Sequence, residues 1–296
     1  MVLRLLLLLS LFGVFTAAQA EADKCLLWEL QGEHNKVYLL GSVHMMKSED
    51  YPLDRCVDDA YDKAAALVVE LNTLAVDPQK MSSKMRQLGI LPQGQNLQSL
   101  LGPETQKLLS AYHPLPEGYQ VMRPWLLGLT LVMQKAGELG YRADLGIDHY
   151  LLSKAQANKP ILSLETIDLQ LGVLSGDNDL EQELTLRLTL EQLPEMGEYI
   201  DEVRIAWKQG DADTIYQAIE QPKRENPQLA EQFYRQVTKR NIGMAEQIVE
   251  FLQGKENYLV VIGGGHLAGE EGILALLEEQ GIEMEQQPKL GRSMLY

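Results

Sequence analysis

Four short apolar runs without polar alternation punctuate the chain. Residues 37–40 end at Gly41, residues 67–69 at Glu70, residues 161–164 at Glu165, and residues 258–262 at Gly263. Continuous apolar runs of this length predict strands covered on both faces, as in a parallel sheet. Helix-length segments lie between them. Residues 53–66 have mixed polarity, residues 104–112 follow Gly102-Pro103, and residues 124–139 stop before Gly140. Residues 148–157 read as a helix with Asp148 at or near its N-cap, and residues 270–280 as another. A long helical region runs from about 167 to 253, with breaks near Gly176, Pro194, Gly210 and Pro222 to Pro227. Residues 72–98 are polar, rich in Gln and Ser, and predict no long element. Strands alternating with helices predict an α/β fold around a mixed, partly parallel sheet. Residues of about 176–255 are expected to form a helical subdomain over it. No tandem repeat is present, but strand-GxxH then strand-Glu in the first half is mirrored by strand-Glu then strand-GxxH in the second.

The start of the chain changes the length to be explained. Arg4 precedes an apolar run over residues 5–15, and Ala18-Gln19-Ala20 follows. This is the pattern of a secretory signal peptide over residues 1–20, cut after Ala20. The apolar run is too short for a spanning helix. The expected mature chain is a single domain over 21–296, periplasmic or secreted, with no later apolar stretch long enough to cross a membrane. The 26 basic and 42 acidic residues give a net charge of −16. A chain this acidic, with no basic run, is expected to be repelled by nucleic acid and by anionic membrane surfaces. Its two cysteines, Cys25 and Cys56, both fall in the exported part, which favours one disulfide over two buried thiols.

In open α/β sheets ligands bind beyond the carboxyl ends of the strands. Each predicted strand delivers a reactive side chain there: His44 in Gly41-Ser42-Val43-His44, Glu70, Glu165, and His266 in Gly263-Gly264-Gly265-His266. Alone, each histidine reads as a turn residue; at matched positions after two strands they read as a site. A third GxxH, Gly146 to His149, falls at a helix start and reads as coincidence. Two histidines with one or two carboxylates suit a divalent metal. The same set also suits a histidine base oriented by a glutamate. From spacing alone Arg240 is a solvated helical charge. His34 and His113 read as surface histidines. There is no GxSxG, and Gly263-Gly264-Gly265 lacks the strict GxGxxG spacing.

Taken together, these residues resemble the TraB/GumN family, bacterial relatives of the Tiki proteases and of pheromone-shutdown proteins. The resemblance is carried by Tyr38 to His44, Tyr51-Pro52-Leu53, Leu67 to Leu71, Leu145 to Asp148, Lys159 to Thr166, Arg240-Asn241 with Met244, and Gly263 to Leu267 with Gly269 and Gly272. It implies a fold similar to the erythromycin-esterase and ChaN-like group, with two related α/β halves. Tiki relatives are metal-dependent proteases supported by manganese or cobalt. The resemblance places the essential residues on His44, His266 and Glu70. It moves Arg240 into the site and adds Asn241, Asp148 and Glu165 as family positions. ChaN-like relatives bind haem, and esterase relatives act without a tightly bound metal.

The expected function is therefore an exported metal-dependent hydrolase, a peptidase acting on a peptide or small-molecule substrate. His44, His266 and Glu70 would hold manganese, cobalt or zinc, with Glu165 as a further ligand or base and Arg240 on the developing oxyanion. The alternatives are a haem- or peptide-binding periplasmic protein and a metal-independent esterase.

Overall fold

The four apolar runs become the parallel part of one mixed, open sheet. A computed structural model describes residues 23–112 and 115–292; the expected signal peptide, its cleavage after Ala20, and His113 lie outside them. Strands β2 (Lys36–Ser42), β3 (Ala66–Val69), β4 (Ile161–Ser163) and β5 (Tyr258–Gly263) run parallel in the order β4-β3-β5-β2. The last of these strands in sequence, β5, inserts between β2 and β3: Val260 pairs with both Leu39 and Val68. All three residues are fully buried. A strand paired on both sides and covered on both faces has no solvent-facing row, which is why its sequence does not alternate. The edge strand β4 departs from that expectation, since Leu162 and Ser163 are exposed. It pairs only with β3, so apolar content did not mean burial there.

Two antiparallel strands complete the other edge. β1 (Lys24–Gln31) pairs with β2 and with β6 (Met284–Pro288), giving the order β4-β3-β5-β2-β1-β6. The half-exposed, polar β6 carries no apolar run by which the sequence could announce it. Helices α1 (Arg55–Lys63), α5 (Ile147–Ala155), α11 (Lys239–Leu252) and α12 (Ile273–Glu279) pack on the sheet through residues such as Val57, Leu151, Ile248 and Leu277. Burying a side chain of this size contributes roughly 1.5–3 kcal/mol.

The helical layer has its own core. Leu109 of α3 (Pro103–Ser110), Leu127 and Leu131 of α4 (Pro124–Glu138), and Leu186 and Leu190 of α7 (Asp179–Gln192) form it. The layer thus recruits chain from well before residue 176. It continues through α6 (Ile167–Ser175), α8 (Met196–Gln209), α9 (Ala212–Glu225), α10 (Ala230–Phe233) and a π-helical turn, Tyr234–Thr238. Pro222 sits inside the last turns of α9, so the break falls at Asn226 rather than at the proline. The polar stretch 72–98 contains a helix that the pattern did not show, α2 (Pro78–Gly89). Its side chains are almost all at least part-exposed, so no apolar stripe marks it. The Asp77 carboxylate caps its first amides, and Pro78 starts it.

Two links fix the segments that carry the strand ends. A disulfide joins Cys25 on β1 to Cys56 on α1. Asp50, whose side chain has no exposure, accepts bonds from Arg204 Nε at 2.8 Å, Lys208 Nζ at 3.0 Å and the Lys47 amide at 3.0 Å. That cluster ties the loop after β2 to α8. Burial raises the Asp50 carboxyl, but Arg204, Lys208 and the Lys47 amide outweigh it and hold the group below the usual carboxylate range.

Cys25→Ala/Cys56→Ala is expected to lower the unfolding free energy by roughly 3–4 kcal/mol, since it opens a loop of 31 residues. Urea titration of the variant beside reduced wild type checks it: both should show the same loss. Removing the buried charge in Asp50→Asn is expected to cost roughly 1.5–3 kcal/mol through weakened charge-assisted hydrogen bonds, Arg204 keeping Glu49 and Asp201. The folded value of Asp50 lies below the unfolded one, so its stabilisation is complete above about pH 4 and fades as pH falls through the folded value. The gap between wild type and Asp50→Asn should therefore narrow in urea titrations at successively lower pH.

Candidate functional site

The parallel order β4-β3-β5-β2 brings the four reactive residues to one edge in the sequence Glu165, Glu70, His266, His44. Gly263 ends β5 at the centre, and its amide donates to Glu70 Oε1 at 2.6 Å. A Cβ on Gly263 would lie 3.3 Å from Glu70 Oε1, 3.5 Å from His266 Cδ2 and 3.8 Å from His44 Nε2. Three side chains from β2, β3 and β5 therefore converge on space that a side chain at residue 263 would fill. A short 3₁₀ turn, Gly264–His266, carries the buried imidazole back over the sheet edge.

Both imidazoles are oriented through Nδ1. His266 Nδ1 lies 2.6 Å from Asn241 Oδ1, and Asn241 Nδ2 donates to the Glu271 carbonyl at 2.7 Å. The second bond fixes the amide, so Oδ1 accepts and His266 carries its proton on Nδ1. Nε2 is left with its lone pair, and it has no hydrogen-bonding partner among the described residues. Burial, followed by the charges of Arg240 and His44, pushes His266 down to about 4 against the attraction of Glu70. His44 Nδ1 donates to Asp148 Oδ1 at 3.3 Å, which directs Nε2 toward Gly263. The Asp148 bond pushes His44 up to about 9, with Asp148 and Glu70 charge adding and burial and Arg240 opposing. The His44 side chain is 69% exposed, so solvent screens part of that attraction.

Asp148 is not the N-cap of α5; Gly146 is, and Asp148 lies in the first turn facing His44. The chain comes close there because Gly146 has no side chain: a Cβ would lie 2.3 Å from the His44 carbonyl oxygen. The third GxxH thus matters through its glycine, which backs the first GxxH histidine. His149 points elsewhere, its Nδ1 buried without a hydrogen-bond partner. The segment is held by Ile147 N to Val43 O at 3.0 Å, by mutual backbone bonds between Met46 and Arg142, and by Tyr51 Oη to Leu145 O at 2.7 Å.

Arg240 joins the two carboxylates. Its Nε donates to Glu165 Oε1 at 2.7 Å, and Nη2 donates to Glu165 Oε2 at 2.9 Å and to Glu70 Oε2 at 2.5 Å. Nη1 donates to the Gln236 carbonyl at 3.1 Å. Burial lowers the guanidinium's pKa, but Glu165 and Glu70 raise it further and keep it charged. Burial raises Glu70, and His266, Arg240, His44 and the Gly263 amide together hold it below the ordinary carboxylate range. Gln170, absent from the sequence reading, also bridges the acids, reaching Glu165 Oε2 at 3.1 Å and Glu70 Oε2 at 3.3 Å. Its only signal was its place one turn into the helix after Glu165.

The donor types suit a divalent ion: two imidazole Nε2 atoms with their other nitrogens engaged, and a carboxylate held ionised. The donor atoms of His44, His266 and Glu70 are not all within 4.8 Å of one another. Among the described residues the group that meets that spacing is Cys25, Asp54 and Cys56, whose sulfurs are spent in the disulfide.

A model of the TraB/PrgY/gumN family matches residues 26–286. The chain is 28% identical over 142 residues to an uncharacterized Escherichia coli protein, YbaP, covering 46% of this chain and 51% of that one. It is 26% identical over 164 residues to an uncharacterized Treponema pallidum protein, covering 54% and 49%. The aligned parts span about half the length of these relatives. No solved structure matches. With the family match reaching all six strands and covering all four strand-end residues, the chain belongs to the TraB/PrgY/gumN family.

Proposed function

We propose that the protein is an exported metal-dependent hydrolase, a peptidase that holds one divalent ion (manganese, cobalt or zinc) through His44, His266 and Glu70. The observation that carries this reading is the convergence of those side chains on the space above Gly263. Export is supported by the disulfide, and among the described residues no helix is long and apolar enough to cross a membrane. When bound, the ion would polarise the scissile carbonyl and acidify a water.

The chain's own residues prepare that chemistry. Asn241 and Asp148 fix the two imidazoles so that each offers Nε2. Neutral His266 would take an ion as it stands, whereas His44 would first give up the proton that Asp148 favours. His44, the exposed member, has the room to close the ligand set. Arg240 has its guanidinium engaged by Glu70, Glu165 and a carbonyl, which supports a positioning role over direct contact with an oxyanion. Glu165, with both oxygens engaged, holds Arg240 in turn. Asp148 beside His44 also invites a metal-independent esterase reading, but a histidine held protonated is a poor base at neutral pH.

Protein purified from the periplasm is expected to carry about one divalent ion per chain, and His44→Ala and His266→Ala to carry none. Elemental analysis beside peptide-library cleavage with and without chelator decides it; a metal-free wild type with no metal-stimulated cleavage overturns the proposal. Ester turnover that survives chelation would select the esterase instead. Metal uptake at pH 7 is expected to release about one proton, from His44 and not from His266, and affinity to rise from pH 6 to 9. Calorimetry in buffers of differing ionisation enthalpy measures this, and Asp148→Asn should reduce the release. Arg240→Ala is expected to cost roughly 3–5 kcal/mol by leaving two buried carboxylates unneutralised. Arg240→Lys should recover only part of that loss, because an ammonium cannot reproduce the fork. Adding Glu165→Gln to Arg240→Ala should recover part as well, all three read by urea unfolding.

A further inference from the structure

Beyond the strand-end site, a cavity of about 190 Å³ lies among α4, α7, the end of α6 and the turn around Gln232 and Gln236. Its walls include the apolar Trp125, Leu129 and Val132, and its polar end is formed by Glu181 and Gln182 in the first turn of α7. Two acceptors there have no partner. Gln182 is 7% exposed, and its Oε1 is buried without a hydrogen bond. Glu181 Oε2 accepts from Arg235 Nη2 at 2.6 Å, while Oε1 is buried and unbonded. A buried acceptor left unmade is costly, and here two belong to residues that line one cavity.

The charge around them is negative. Arg235, the cation at this end, is shared among Glu181, Asp177 and Glu231, at 2.6, 3.1 and 3.6 Å. Asp177 and Glu231 are 60% and 77% exposed and keep their solvation, so the carboxylate turned inward is Glu181, 15% exposed, in a chain that carries −16 overall. A hydroxyl offers one donor for two acceptors, and a second guanidinium would bring more donors than the two free oxygens can take. A primary ammonium supplies donors to both oxygens and one positive charge, and the apolar walls match a short alkyl body.

We infer that this cavity is a binding site for a small primary alkylammonium group, with Glu181 Oε1 and Gln182 Oε1 as its acceptors. Gln236 lines the cavity and its carbonyl takes a bond from Arg240 Nη1, so one residue of the π-helical turn touches both places.

The test uses n-butylammonium on the full chain, read by ¹⁵N–¹H signals of the three tryptophan indoles. Trp125 lines the cavity and donates its indole N–H to Leu88 O at 2.8 Å. Its signal is expected to shift saturably while that of Trp207, buried under Gly41, stays fixed. Glu181→Gln and Gln182→Met should each weaken binding by roughly tenfold or more, the loss of one charge-assisted or buried bond. Gln182→Met should also raise the thermal midpoint, because it removes an unpaired buried acceptor; a residue kept for packing would not show gain of stability with loss of binding. If either variant fails to fold, the other carries the comparison. No Trp125 shift in wild type overturns the inference. So does binding unaltered in the folded variants, or equal binding of butan-1-ol, which would mark an apolar cavity only.

Discussion

The site depends on a single guanidinium. Glu70 and Glu165 leave adjacent parallel strands at the same edge, where two carboxylates brought together in a buried setting would repel one another and lose solvation. Arg240 resolves both problems, with two donors on Glu165 and one of those atoms also on Glu70. It reaches them from α11, some 75 residues after β4 and 170 after β3. The sheet edge and α11 therefore cannot separate without uncovering charge. A buried ion pair is weak evidence for net stability, but it is strong on register: a guanidinium fork satisfied on three sides admits one arrangement of the strands it joins.

The same economy appears around the histidines. Each imidazole has a polar partner on Nδ1 from a different element, Asp148 in the first turn of α5 and Asn241 next to Arg240. The partners differ in charge, and the histidines differ accordingly: the carboxylate draws a proton onto His44, while the neutral amide and burial leave His266 uncharged. Two matched motifs, both GxxH, are thus tuned in opposite directions by their neighbours. One keeps an Nε2 lone pair; on the other Asp148 favours the protonated form, with solvent screening part of that attraction.

Much of this was legible in the residues. β2, β3 and β5 were visible because their apolar runs reflect burial on both faces, β4 showed a similar run at an exposed edge, and the residue after each run was forced to the same edge by parallel order. At the opposite sheet edge β1 does carry an apolar run, Cys25 to Trp28, but β6 was not legible. β6 is half-exposed and polar, and α2 keeps nearly all its side chains at least part-exposed, so burial left no periodic mark on either. Arg240 illustrates a different limit. By spacing it is one more charge on a helix, and only the family likeness moved it inward; what makes it different is the tertiary fold placing two acids opposite, which no local pattern encodes. Gln170 and the glycine of the third GxxH escaped for the same reason, each being important through a contact more than 90 residues away.

The insertion of β5 between β2 and β3 carries these points one step further. Until Tyr258–Gly263 docks, β2 and β3 have no shared neighbour, Glu70 lacks the Gly263 amide, and His266 is not yet over the edge. The strand that completes the sheet is also the strand that completes the site, and Gly263 is where the two roles meet. It closes the ladder with Ser42, donates to Glu70, and by lacking a side chain leaves open the space on which His44, His266 and Glu70 converge. A site assembled by strand pairings this distant in sequence cannot form in a partly folded chain, so reactive residues at this edge come together only once β5 has docked.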